Sequence, residues 1–155
     1  MNFLIVEVGR KWFAVQTDDV RQLRRVGGLL PYQECPDCVE GFIEFRGVQV
    51  PLLRIADDFG QARAPIRNSD EVVILGRDDT LVAFRVDCIT DIVDLRTWQR
   101  CLSDADSKYP PYVECRRSLH GQEAIVIDVP ALLNCPGLDS TLRHNEAEQG
   151  VQSYG

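Results

Sequence analysis

Short runs of β-branched and aromatic residues, each stopped by a turn before it could complete a helix, constrain this chain more than any other feature. Phe3-Leu4-Ile5-Val6-Glu7-Val8 breaks at Gly9-Arg10-Lys11 and resumes as Trp12-Phe13-Ala14-Val15. That is the pattern of a hairpin on a tight glycine turn. Gly41-Phe42-Ile43-Glu44-Phe45 and Val48-Gln49-Val50-Pro51-Leu52-Leu53 repeat it around Arg46-Gly47. Pro51 has no amide hydrogen to donate, so its strand is expected at an edge or a bulge there. Glu71 to Leu75 and Leu81 to Val86 form another hairpin around Gly76-Arg77-Asp78-Asp79, and Val113 to Leu119 with Ala124 to Val129 a last one around His120-Gly121-Gln122. Ile89 to Leu95 alternates imperfectly and reads as a half-buried strand.

Helical signals are few. Thr17, Asp18 and Asp19 can cap one turn carrying Val20 and Leu23, although a twisted strand fits the same residues. Ile55 to Gly60 reads as a short helix ended by glycine, and Pro130 suits the first turn of another through Leu133. Stretches 31–38, 61–70 and 106–112 read as loops. Two strand-rich halves on either side of residues 61–70, with about nine or ten strands in all, point to an all-β barrel or sandwich built from two similar lobes. A single domain over residues 1–136 and a frayed tail over 137–155 are expected, because the apolar residues thin out after Gly137.

Charge and cysteine content narrow the function. The net charge of -7 argues against nucleic acid as the main partner. The basic pairs Arg24-Arg25 and Arg116-Arg117 then read as solvated surface, as do the acidic pairs Asp18-Asp19, Asp57-Asp58 and Asp78-Asp79. No apolar run long enough to span a bilayer and no export signal occurs, so a cytoplasmic location without membrane insertion is expected. The six cysteines should then be mostly free thiols. Only Cys35-Pro36-Asp37-Cys38 has the C-x-x-C spacing of a redox pair or half a zinc site, and neither the βαβ context nor a second close pair accompanies it. No P-loop, dinucleotide fingerprint or nucleophile elbow is present, and His120 and His144 lie in a turn and in the tail. Absence of an enzymatic motif, a cofactor or a metal cluster is what a binding module shows.

Three segments in order resemble the CheW family of chemotaxis coupling proteins. They are the opening hairpin with Val20, the run Gly41 to Leu53 with its Arg46-Gly47 turn and valine-proline strand, and Leu81 to Asp87 leading to Asp91-Ile92-Val93. The resemblance implies two small five-stranded, SH3-like β-barrel lobes with short helices and an apolar groove between them. It also implies a non-catalytic adaptor that bridges the cytoplasmic tip of chemoreceptors (methyl-accepting chemotaxis proteins) and the regulatory domain of a CheA-type histidine kinase. Carried over by position, Val20, Arg46, Gly47 and Ile92 would lie at or near the partner-binding groove. Three departures mark a divergent member. Gln22 stands where the family has glutamate, Arg54-Ile55 follows Leu53 without the usual aspartate, and Glu44-Phe45 replaces asparagine-leucine. An accessory protein that binds receptors or array components without engaging the kinase is the alternative, and a redox- or zinc-responsive protein using Cys35 and Cys38 is a third. An enzyme built on a β-barrel would instead need a polar pocket with convergent titratable groups.

Overall fold

The computed structural model describes residues 1–30, 36–61, 64–101 and 109–134. The expected tail at 137–155 and Cys35 of the C-x-x-C pair lie outside the described residues. The strands are β1 (Phe3–Val8), β2 (Lys11–Gln16), β3 (Val20–Arg25), β4 (Val39–Phe45), β5 (Val48–Leu53), β6 (Glu71–Arg77), β7 (Thr80–Val86), β8 (Cys88–Val93), β9 (Gln99–Cys101), β10 (Val113–Leu119) and β11 (Gln122–Ile127). Two short helices, α1 (Ile55–Asp58) and α2 (Val129–Leu133), complete the set with 3-10 turns at Thr17–Asp19 and Leu95–Thr97.

The strands form a six-stranded sheet in the order β8-β1-β2-β11-β10-β9 and a five-stranded sheet in the order β3-β6-β7-β5-β4. The expected mainly-β, two-lobed fold is therefore present, with six strands and not five in the first lobe. The extra strand, β9, is three residues long and was not legible as a run. The sequence also left Thr17 to Leu23 open. Thr17–Asp19 makes the 3-10 turn, and the β-branched Val20 starts a strand that pairs with β6. The proline strand, β5, is interior, contrary to expectation. Pro51 faces Phe42 of β4, and the parallel pairing with β7 begins one residue later at Leu52. The missing amide hydrogen therefore falls where no β7 partner is paired.

Alternation within each strand divides its side chains between two cores. Leu4, Val6, Val8, Phe13 and Val15 enter a core shared by both sheets, as do Val73, Leu75, Val82, Phe84, Ile125 and Ile127. The intervening residues fill the lobes, Ile5, Ala14, Ala124 and Val126 in the first and Val72, Ile74, Ala83, Val50 and Leu52 in the second. Burial on both faces explains why runs such as Val72 to Leu75 and Leu81 to Phe84 are apolar without a polar alternate.

Each lobe is fastened by an arginine that donates to backbone carbonyls. Arg24 of edge strand β3 donates to Glu44 O at 2.8 Å on the opposite edge strand, β4. Arg117 of β10 reaches Trp98 O at 3.2 Å and Leu95 O at 3.5 Å. The guanidinium fork suits this role because it satisfies carbonyls that the strand ladders leave unpaired. Neither arginine is simply solvated surface. Arg116 lies beside Glu123 at 3.2 Å, with its guanidinium 5.4 Å from the centre of the Tyr109 ring. Asp19 is likewise buried, and Arg77 donates to both its carboxylate oxygens at 2.7 and 3.1 Å, which ties the 3-10 turn to β6. Asp58 accepts the Tyr112 hydroxyl at 2.7 Å.

Candidate partner-binding surface

Edge strands extend the shared core to the surface. On β1, Leu4 and Val6 point into that core, and their partners on β8 are Ile92 and Ile89. Cross-strand partners share a face, so both isoleucines lie on the side of β8 that faces the shared core. Because β8 is an edge strand, Ile92 is 57% exposed and Ile89 43% exposed. This corrects the half-buried reading of the segment, in which only Val93 is partly buried among the strand residues. A bulge at Thr90 of β8, opposite the Ile5–Val6 step of β1, explains the broken alternation.

The second sheet does the same at β3. Val20 pairs with Leu75 and Leu23 with Val73, both shared-core residues. Val20 is half-buried and packs against the core, whereas Leu23 is exposed. Three of the five large apolar side chains exposed among the described residues, Leu23, Ile89 and Ile92, thus continue one core outward from two edges. The edges converge. Thr17 donates its N–H to Asn2 O at 3.0 Å, and Phe3 pairs with both Gln16 and Val93. The start of β3 and the end of β8 therefore sit at the same end of β1. The sequence does not single out Leu23 and Ile89, because the segment carrying Leu23 fits either a helical turn or a twisted strand and Ile89 reads as part of a half-buried strand.

Arg46 and Gly47 lie elsewhere, at the tip of the β4–β5 hairpin. Their φ values of 52° and 80° place both in the left-handed region of a two-residue primed turn. Gly47 donates to Glu44 Oε1 at 3.3 Å, while Arg46 lies 5.0 Å above the Phe45 ring centroid. The turn is thus held through Glu44, and Arg46 stacks instead of bracing a carboxylate. Glu44 is also the link to β3, since its carbonyl accepts from Arg24. Val20 and Ile92 thus lie on the core-facing sides of two edge strands, and among the described residues the Arg46-Gly47 turn is linked to β3 through Glu44 and Arg24.

Acidic groups along and after β8 accept hydrogen bonds within the fold. Next to Ile92, the Arg96 guanidinium bonded to Asp94 holds that carboxyl down at about 2. Asp91 accepts the Ile92 N–H, and Asp87 accepts the Gly9 N–H at 2.7 Å. Burial pushes the Cys38 thiol up, which disfavours the nucleophilic thiolate at neutral pH. A cavity of about 350 Å³ is lined in part by Val8, Phe84, Glu40 and Arg85. Its Arg85–Glu40 pair, 2.7 Å apart, is already matched.

The model of the CheW-like domain matches residues 2–136. The chain belongs to the CheW-like domain family. The resemblance read from the sequence thus holds over nearly its full length. The chain is 25% identical over 98 residues to the chemotaxis protein CheW of Klebsiella aerogenes, an alignment covering 63% of this chain and 59% of that relative. The matched region therefore spans less than two thirds of the relative's length. The crystal structure of the scaffolding protein TtCheW from Thermoanaerobacter tengcongensis superposes with a TM-score of 0.69 at 16% identity, covering 88% of this chain and 94% of that one. That likeness establishes a CheW-like fold, consistent with the SH3-like description of the lobes.

Proposed function

We propose that this CheW-like protein is a non-catalytic cytoplasmic adaptor that couples the cytoplasmic tips of chemoreceptors to the regulatory domain of a CheA-type histidine kinase. The observation that carries the reading is the extension of the shared core onto two edges, through Val20 and Leu23 on β3 and Ile89 and Ile92 on β8. A surface of branched aliphatic side chains between two edges suits the apolar stripe of a helical hairpin, which is recognition of the helix-in-groove kind. The receptor tip supplies such a hairpin. Family membership and the relative's chemotaxis name support the setting. Val20 and Ile92 contact the receptor directly, and Arg46 and Gly47 act by shaping the hairpin tip.

Calorimetric titration of the purified protein against a receptor-tip fragment, and separately against the kinase regulatory domain, tests the reading. Binding to both is expected. Binding to the receptor fragment alone assigns the accessory role in which the kinase is not engaged. Binding to neither refutes the adaptor reading.

A further inference from the structure

The β3 edge has a charge character opposite to that of the whole chain. The sequence carries 24 acidic against 17 basic residues, yet β3, Val20–Arg25, holds three arginines and no acid. Arg24 is committed to the carbonyls of Glu44, Arg25 and Val26. Arg21 and Arg25 are exposed on either side of the exposed Leu23. Arg21 spends one hydrogen bond on Asp18 O, out of the five N–H donors a guanidinium carries. Arg25 shares its face with Leu23, opposite Glu71 of β6. The other edge has no Lys or Arg from Val86 to Leu95. Its acids Asp87, Asp91 and Asp94 accept bonds from Gly9, Ile92 and Arg96. The β3 border of the apolar surface therefore carries the exposed guanidinium charge of Arg21 and Arg25, whereas the β8 border carries only acids.

We propose that the partner docked on this surface presents an apolar helical face bordered by carboxylates on the side that meets β3, and that Arg21 and Arg25 select and orient it. The proposal rests on the receptor-binding reading above and names the chemistry of that receptor segment. Arginines at the rim of an apolar contact act mainly on the association rate and on its salt dependence. Their fork geometry also favours carboxylates over isolated acceptors.

The test follows association kinetics between the full chain and a receptor-tip helical hairpin from the same genome, at low and high ionic strength. R21E/R25E should associate roughly tenfold more slowly at low salt, lose the salt dependence seen with the native protein, and melt at an unchanged temperature. A hairpin whose stripe-edge carboxylates are replaced by lysine should bind R21E/R25E better than it binds the native protein. R21Q/R25Q gives an intermediate rate and serves if the reversal impairs folding. Equal rates and salt slopes for native and R21E/R25E, with binding still abolished by Ile92→Asp, overturn the proposal and leave the receptor reading standing. No binding by the native protein overturns both. Loss of self-association in R21E/R25E with unchanged hairpin kinetics assigns the basic edge to a second copy of this chain and also overturns it.

Discussion

Arg85 is the cation of a nearly dry triad, and its removal should be among the most damaging single changes in the second lobe. Its side chain is 7% exposed and pairs with Glu40, 8% exposed, and Asp70, 13% exposed. The Glu40 bond is two-pronged, at 2.7 and 3.0 Å, and Asp70 accepts at 3.2 Å. Burial pushes the Asp70 carboxyl up. The Arg67 N–H, the Arg85 hydrogen bond and the two guanidinium charges outweigh that and hold it below the ordinary aspartate range. Arg85→Met keeps the apolar length but leaves two carboxylates facing each other out of water. Stranding buried charge in this way costs about 3–5 kcal/mol, against about 5–15 kcal/mol for a whole domain. Near the melting point of a chain this long that is a drop of roughly 6–20 °C. The sign of the pH dependence follows from the carboxylates. In the native protein Asp70's contribution is full above its unfolded pKa, about 4, and is lost as pH falls through its lower folded pKa. In Arg85→Met the penalty is largest at neutral pH and is relieved as Asp70 protonates. Urea unfolding at pH 7 and near pH 4 should therefore show a gap between native and variant that narrows on acidification. A loss below about 1 kcal/mol at pH 7, or a gap that widens at pH 4, refutes the reasoning.

Two further substitutions separate surface from scaffold. Ile92→Asp should leave the melting temperature within about 2–4 °C of native, because Ile92 is 57% exposed. It should weaken receptor-fragment binding by on the order of 30-fold or more, from about 1–2 kcal/mol of lost burial plus the cost of desolvating a carboxylate. Gly47→Ala meets no atom but must hold φ near 80°. It should cost about 1–2 kcal/mol by urea unfolding, and Gly47→Asn should recover part of that because asparagine tolerates the left-handed region.

Strand positions were legible because runs such as Val72 to Leu75 and Leu81 to Val86 are β-branched and end at turn residues. Primed turns were legible wherever glycine marked them, as at Arg46-Gly47. Exposure was not. A run buried on both faces and an edge strand are both rich in isoleucine and valine, so the segment from Ile89 to Leu95 read as half-buried although the residues of β8 are exposed up to Ile92. The register against Leu4 and Val6 identifies Ile92 and Ile89 as the core's outer continuation. Arginine roles were equally hidden, because Arg24 and Arg25 are adjacent in sequence while alternation sends one to the Glu44 carbonyl and the other to the shared-core face. Asp19 looked like a turn cap until Arg77, far away in sequence, closed on it. The family resemblance singles out Val20 and Ile92, and the strand register puts Leu23 and Ile89 on the same faces as these two.

Bridging is the central claim, and co-sedimentation of receptor-tip fragment, kinase regulatory domain and this protein tests it most directly. The account predicts that kinase domain and receptor fragment migrate together only when the native protein is present, and separate again with Ile92→Asp. Co-migration without the protein, or a protein that binds each partner only by displacing the other, would contradict the account.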